Sequence, residues 1–377
     1  MKKHFAFIIL SIFLISNILA QDRTNLKKEI DKIIHYDTEI EYSKTPGFVV
    51  AVKVQDSIFY FGYGSISKEK TQQPNENTIF EIGGLTKSFT ASLVSLLVAE
   101  GKMEYEKSFN SYLPNDEKNE DLENLTIDQL LTHTSGMPRM PLEFGVKETE
   151  MHNPYAHYTQ KDLMDFYKIF IPIEPKKKKR WCRKKQKNDN YLYSHLNYAL
   201  LERAIAYSQH QSFENLLEQK ITRPLHLMDT KVQLSEEQQS RLATGYTTSG
   251  APTPPWKFQS FKASEGLKST AKDLIHFAEA QMGCCPDFKA FEQTHLGKKK
   301  VRHNKRVEAT RGWHIISTNK KFYDVIAHSG TTNGHRAYLA FVKETDTAVV
   351  VLSNSEHGMQ SLGYLILQMV NNYWKKW

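Results

Sequence analysis

Gly84 and Lys87 stand three residues apart at the head of a long apolar stretch, TIFEIGGLTKSFTASLVSLLVAEG at 78–101. On a helix, positions i and i+3 share a face, so a side chain at 84 would meet the Lys87 amine. A hydroxyl at 84 would be a nucleophile with a base beside it, the arrangement of acyl transfer through a covalent intermediate. Position 84 is glycine and supplies no hydroxyl. Its neighbours do not substitute. Thr86 and Ser88 each lie one residue from Lys87 and so point about 100° away from it on a helix.

Three further segments carry groups suited to the same chemistry: LLTHTSG at 130–136, YSHLNYALLE at 193–202 and AHSGTTNGH at 327–335. A tyrosine such as Tyr193 can relay a proton between a lysine and a leaving group. A lysine serves as a base only when desolvation or a nearby cation lowers its pKa. His133 sits in a turn-forming Ser-Gly context and reads as scaffold. His328 reads equally as a pocket residue or as a structural histidine. A zinc site from His195, His328 and His335 lacks ligand spacing, so no metal or other cofactor is expected.

Together the four segments resemble the serine β-lactamase-related family: class C β-lactamases, D-Ala-D-Ala peptidases, related esterases and LACTB-like proteases. The resemblance runs from about residue 25 to 370, with supporting segments RLATGY at 241–246, EGLKSTAKDLIHFA at 265–278 and RGWHI at 311–315. It implies an α/β (α+β) fold, an antiparallel sheet flanked by helices with an inserted all-helical lobe, and a site in the cleft between them. It implies Lys87 and Tyr193 as the proton-transfer pair, with Gly84 at the nucleophile position. His328, Ser329 and Gly330 would lie on an edge strand lining the pocket, and the N–H groups of Gly84 and Thr331 would form the oxyanion hole. His195 replaces the family's asparagine, which changes how a substrate would be held, because a neutral histidine offers its donor and acceptor in different geometry. The ligand class implied is a small-molecule or peptide acyl compound.

The elements that must position these groups follow the hydrophobic pattern. Residues 25–36 read as an amphipathic helix, and 47–65 as two strands with a turn near Asp56-Ser57. A helix is expected from about Thr86 to Glu100, with Gly101 at its end. Thr126 is the expected N-cap of a short helix in 125–138. Residues 160–230 are mostly helical in pattern, and 311–355 return to strands. Strands at both ends with helices between suggest one sheet built from both termini. The helical lobe is expected at roughly 100–260, within a single domain over 21–377.

Residues 1–20 read as a Sec signal peptide: Lys2 and Lys3, an apolar run from Phe5 to Ile15, and Ala20 at the cleavage point. No cysteine follows Ala20, so a lipid anchor is not expected and a secreted or periplasmic location is. Cys182, Cys284 and Cys285 form no disulfide framework. The net charge of +8 resides in one run, 176–187, with nine basic residues and no acid. A solvated insertion is the favoured reading, with an anionic surface as its candidate partner; nucleic acid is not an expected one. Three functions stay open: a family member with acylation lost or severely impaired, an active acyl hydrolase (β-lactamase, D-Ala-D-Ala peptidase or esterase) with an unidentified nucleophile or with Gly84 as a sequence error or knockout, and an anionic-polymer or membrane-surface binding module.

Overall fold

The computed structural model describes residues 22–36, 40–41, 43–145, 153–171, 191–301, 304–318, 323–357 and 360–373. The expected leader at 1–20, Cys182 and the basic run 176–187 lie outside the described residues.

Among the described residues the strands are β1 (Gly47–Val54), β2 (Ser57–Gly64), β3 (Ile79–Glu81), β4 (Gly245–Tyr246), β5 (Pro252–Thr253), β6 (Lys268–Thr270), β7 (Lys299–Lys300), β8 (Val307–Ala309), β9 (His314–Ile316), β10 (Val325–Thr331), β11 (Arg336–Val342) and β12 (Thr347–Ser353). The main antiparallel sheet has the order β2-β1-β12-β11-β10-β9-β8-β7, so β1 from the N-terminal part pairs with β12 from the C-terminal part. That is the both-ends sheet the strand pattern suggested. The first hairpin turns at Gln55-Asp56, one residue earlier than expected; Val54 faces Ser57, and Gln55 takes the positive φ that the two-residue loop requires.

The helices are α1 (22–36), α2 (Thr86–Ala99), α3 (Ile127–Leu131), α4 (Gln160–Ile169), α5 (His195–Gln209), α6 (Phe213–Leu217), α7 (Glu236–Ser240), α8 (Lys262–Glu265), α9 (Ala271–Met282) and α10 (Gln360–Tyr373). Alternate residues of β1 and β12 point to opposite faces, as the strand repeat demands. Phe48, Val50, Val52, Val349 and Val351 pack with Ile30 and Ile33 of α1 and Leu362, Ile366 and Val370 of α10. Val49, Ala51, Val350 and Leu352 pack with α2 and α9 in a second, larger core that continues into the helical region. β1 is therefore buried along its whole length, which explains its unbroken apolar sequence.

Between 100 and 260 the described chain is helices and turns, apart from the two-residue ladder of β4 with β5 and isolated bridges. α2 is enclosed along most of its length, with Thr86 to Ser95 and Leu97 buried and Leu96 and Val98 partly so, and its hydroxyls bond inside the core. It ends at Ala99, and Gly101 follows at φ +69°, as a left-handed C-terminal glycine should. Thr126 caps α3 through a reciprocal box with Gln129.

Candidate active site

The head of α2 lies against β10. Gly83 adopts φ +46°, and a Cβ there would sit 2.8 Å from the Thr331 carbonyl oxygen and 2.9 Å from the Thr331 nitrogen. A Cβ on Gly330 would lie 1.8 Å from the Ile82 carbonyl oxygen and 2.8 Å from the Gly84 nitrogen. Glycine at 83 and 330 thus lets the two backbones touch, bringing the peptides of Gly84 and Thr331 to one place. β10 is not the sheet edge that was expected, because β9, β8 and β7 continue the sheet beyond it. Its ladder with β9 runs from Val325 to Ala327, and beyond that ladder 328–331 lines the pocket.

Lys87 lies on α2, fully buried. Its ammonium donates to the Ser264 carbonyl oxygen at 3.0 Å and pairs with the Glu265 carboxylate, and it lies 3.3 Å from His195 Nδ1. Glu265, at the end of α8, also pairs with His195 Nδ1. Burial draws the Lys87 amine below its ordinary range, opposed by Glu265 and aided by Arg139. Burial acts to raise the Glu265 pKa, but His195 and Lys87 outweigh it and hold the carboxyl well below the usual range. Burial also lowers His195, with Lys87 adding to the effect against Glu265.

Ser194 caps α5 by accepting the Asn197 N–H at 3.2 Å, which fixes His195 at the first turn. The 130–136 segment secures this end: Ser135 Oγ donates to Asn197 at 2.7 Å, and Asn197 donates to the Leu130 carbonyl oxygen at 3.1 Å. His133 takes φ +57°, its Nδ1 accepts the Ser194 N–H at 3.1 Å, and its ring lies 4.5 Å from that of Tyr193. It holds the Tyr193 segment in place, in keeping with its scaffold reading.

The Tyr193 hydroxyl reaches His328 Nε2 at 3.4 Å, while His328 Nδ1 donates to the Gly312 carbonyl oxygen at 2.7 Å. That tautomer leaves Nε2 as an acceptor, so Tyr193 is the donor. Burial, chiefly, pushes His328 down to about 3 and pushes the Tyr193 phenol up. Arg139 lies over the Tyr193 ring at 5.5 Å. Ser329 and Thr331 are half-buried at the rim.

The two neighbouring hydroxyls are committed elsewhere. Thr86 Oγ1 accepts the Leu267 N–H at 3.1 Å, and Ser88 Oγ donates to the Gly312 carbonyl oxygen at 2.7 Å. His335 is also apart from the pocket groups, bonded to Glu81 at 3.3 Å and to the Ala243 carbonyl oxygen at 3.1 Å. Among the described residues no group of three or more histidine, cysteine, aspartate or glutamate side chains is arranged to hold a metal ion.

A Cβ on Gly84 would lie 3.1 Å from Tyr193 Oη, 3.3 Å from the Ser329 carbonyl oxygen and 3.6 Å from Glu265 Oε1. The structure therefore brings Gly84, Lys87, Tyr193, His195, His328, Ser329, Gly330 and Thr331 together around one point. Sequence reasoning missed Glu265, Arg139 and His314. Glu265 opens the supporting segment EGLKSTAKDLIHFA and His314 lies in RGWHI, but neither segment's spacing to Lys87 or Tyr193 gave them a role.

A family model described as Beta-lactamase matches residues 36–370. The chain belongs to the Beta-lactamase family. Among relatives of this β-lactamase-family chain, a "Beta-lactamase" of Pseudomonas fluorescens is 25% identical, covering 89% of this chain and 95% of the relative. "Protein flp" of Staphylococcus aureus (strain N315) is 25% identical, covering 92% of this chain and 67% of the relative. The fold matches a class C beta lactamase with TM-score 0.76 at 23% identity, over 92% of this chain and 99% of the other. It also matches a Beta-Lactamase/D-Alanine Carboxypeptidase from Pseudomonas syringae with TM-score 0.74 at 22% identity, over 92% and 99%.

Proposed function

We propose that this β-lactamase-family chain binds acyl amides or esters, peptidoglycan-type peptides among them, without forming an acyl-enzyme. The observation that carries the reading is Gly84. The place for a nucleophile's side chain is bounded by Tyr193, the Ser329 carbonyl and Glu265, the carboxylate that pairs with Lys87, and no hydroxyl fills it. Losing an acylating serine costs on the order of 10⁶ in rate, leaving about 10³–10⁴ over water from binding and electrostatics. The Gly84 and Thr331 peptides remain side by side, so an oxyanion could still be held there, a contribution of about 3 kcal/mol per donor.

Intact-mass spectrometry after incubation with a penicillin and with an activated acyl ester tests this. The expected result is unmodified protein at all times, with calorimetry detecting reversible binding. A mass increase equal to one acyl group would overturn it.

A further inference from the structure

His195 has the two-sided arrangement of a general base. Nδ1 is pinned to the buried Glu265 carboxylate. A carboxylate is an acceptor only, so Nδ1 carries the proton and Nε2 carries the lone pair. Nε2 has no hydrogen-bond partner among the described residues, and it is not one of the buried polar atoms left unpaired. A tenth of the side chain is solvent-exposed. The other basic groups of the pocket are differently committed. The Lys87 ammonium is sealed against Ser264 and Glu265, His328 Nε2 takes the Tyr193 hydroxyl, and His133 Nδ1 takes the Ser194 N–H. His314 Nε2 meets Tyr191 Oη at 2.9 Å.

We propose that His195 activates water for direct attack on an acyl ester bound at this site, with Glu265 as its positioning residue. This inference rests on the reading that no acyl-enzyme forms. The step is balanced as follows. A water oxygen bonds to the acyl carbon while one water proton passes to His195 Nε2. The carbon–oxygen bond to the leaving group then breaks, and the imidazolium returns the proton to the departing alkoxide. The products are a carboxylic acid and an alcohol. Replacing a serine by water lengthens the path from base to carbonyl, and His195 is joined to the Gly84 site through Glu265, whose Oε1 lies 3.6 Å from a Cβ at 84. Glu265 stabilises the imidazolium as it forms, in the way a carboxylate orients histidine in serine hydrolases.

The test uses the native protein with phenyl acetate, compared with His195→Asn and Glu265→Gln. Native protein is expected to hydrolyse the ester above the buffer rate. His195→Asn should lower kcat by about 10²-fold or more, the usual contribution of a general base, measured at a temperature where the variant is fully folded. A His195→Gly variant should regain activity with added imidazole, a rescue that a structural role would not give. The rate should be flat near neutral pH and fall only on the acid side, because burial and Lys87 keep the imidazole neutral. Glu265, Lys87, Arg139, Tyr193 and His133 are the titratable or charged groups facing it. Hydrolysis equal to buffer, or equal in native and His195→Asn proteins, would overturn the inference and leave the acylation reading standing. An acyl adduct in the quenched mass spectrum would overturn both.

Discussion

Gly84 and Tyr193 are neighbours in space: a Cβ at 84 would stand 3.1 Å from the Tyr193 hydroxyl oxygen. The separation is tight enough to define a site and wide enough to admit a side chain after a shift of a few tenths of an ångström. Around it stand a buried cation, a buried anion and a phenol with a raised pKa, so what position 84 lacks is a hydroxyl rather than the groups around it.

The Lys87–Glu265 pair should resist being broken from one side. Lys87→Met leaves the buried Glu265 carboxylate with His195 as its remaining partner. It should destabilise the fold by about 3–5 kcal/mol, the usual cost of an uncompensated buried charge. The double variant Lys87→Met/Glu265→Gln should recover part of that loss, because the stranded charge is gone. Urea titrations of the four proteins measure the coupling; strict additivity would contradict the shared role.

Gly83 and Gly101 both take positive φ, but only Gly83 is crowded. Gly101→Ala should cost about 1–2 kcal/mol, the left-handed penalty alone, since nothing lies within 4 Å of its added Cβ. Gly83→Ala should cost more, because its Cβ overlaps the Thr331 peptide, and it should abolish ligand binding by moving α2 from β10. Equal melting temperatures for the two variants would count against the close approach.

Glu202 on α5 accepts the Ala263 N–H at 3.0 Å, and burial pushes its carboxyl up to about 7 from 4.5. A raised folded pKa means that the folded chain keeps a proton which the unfolded chain releases. The stabilisation is thus complete below pH 4.5 and is lost as the pH rises through about 7. Glu202→Gln should stabilise the protein by about 1–3 kcal/mol at pH 8 and far less at pH 4.5. Denaturant midpoints at the two pH values measure the difference.

His328 has the opposite sign of dependence. Burial lowers it from 6.5 to about 3, so the unfolded chain binds a proton first as the pH falls. Its contribution is present above pH 6.5 and is lost as the pH falls through about 3. The loss should reach about 2–3 kcal/mol by pH 4.5. His314, lowered to about 4 by burial, adds to the slope. His328→Asn, which retains a donor for Gly312, should flatten the stability profile between pH 6.5 and 4.5. An unchanged slope would contradict the buried neutral form.

Much of this site could be read before any coordinates. Lys87, Tyr193 and His328 stand in short local patterns whose spacing carries their geometry, and the strand-helix-strand order foretold a sheet joining β1 to β12. The partners of Lys87 could not be read the same way. Glu265 lies 178 residues further along the chain and meets Lys87 only because α8 packs on α2. The position of β10 inside the sheet was illegible for a related reason: β7 and β8 are two and three residues long, too short to leave an alternating pattern.

The most direct test of the central claim compares the native protein with Gly84→Ser in rapid mixing with p-nitrophenyl acetate. The site already holds Lys87, Tyr193 and the paired Gly84 and Thr331 peptides, so the serine variant should release a burst of nitrophenolate stoichiometric with protein and carry an acetyl group. The native protein should show no burst. A burst of equal size from the native protein would contradict the account, because it would place a working nucleophile somewhere other than residue 84.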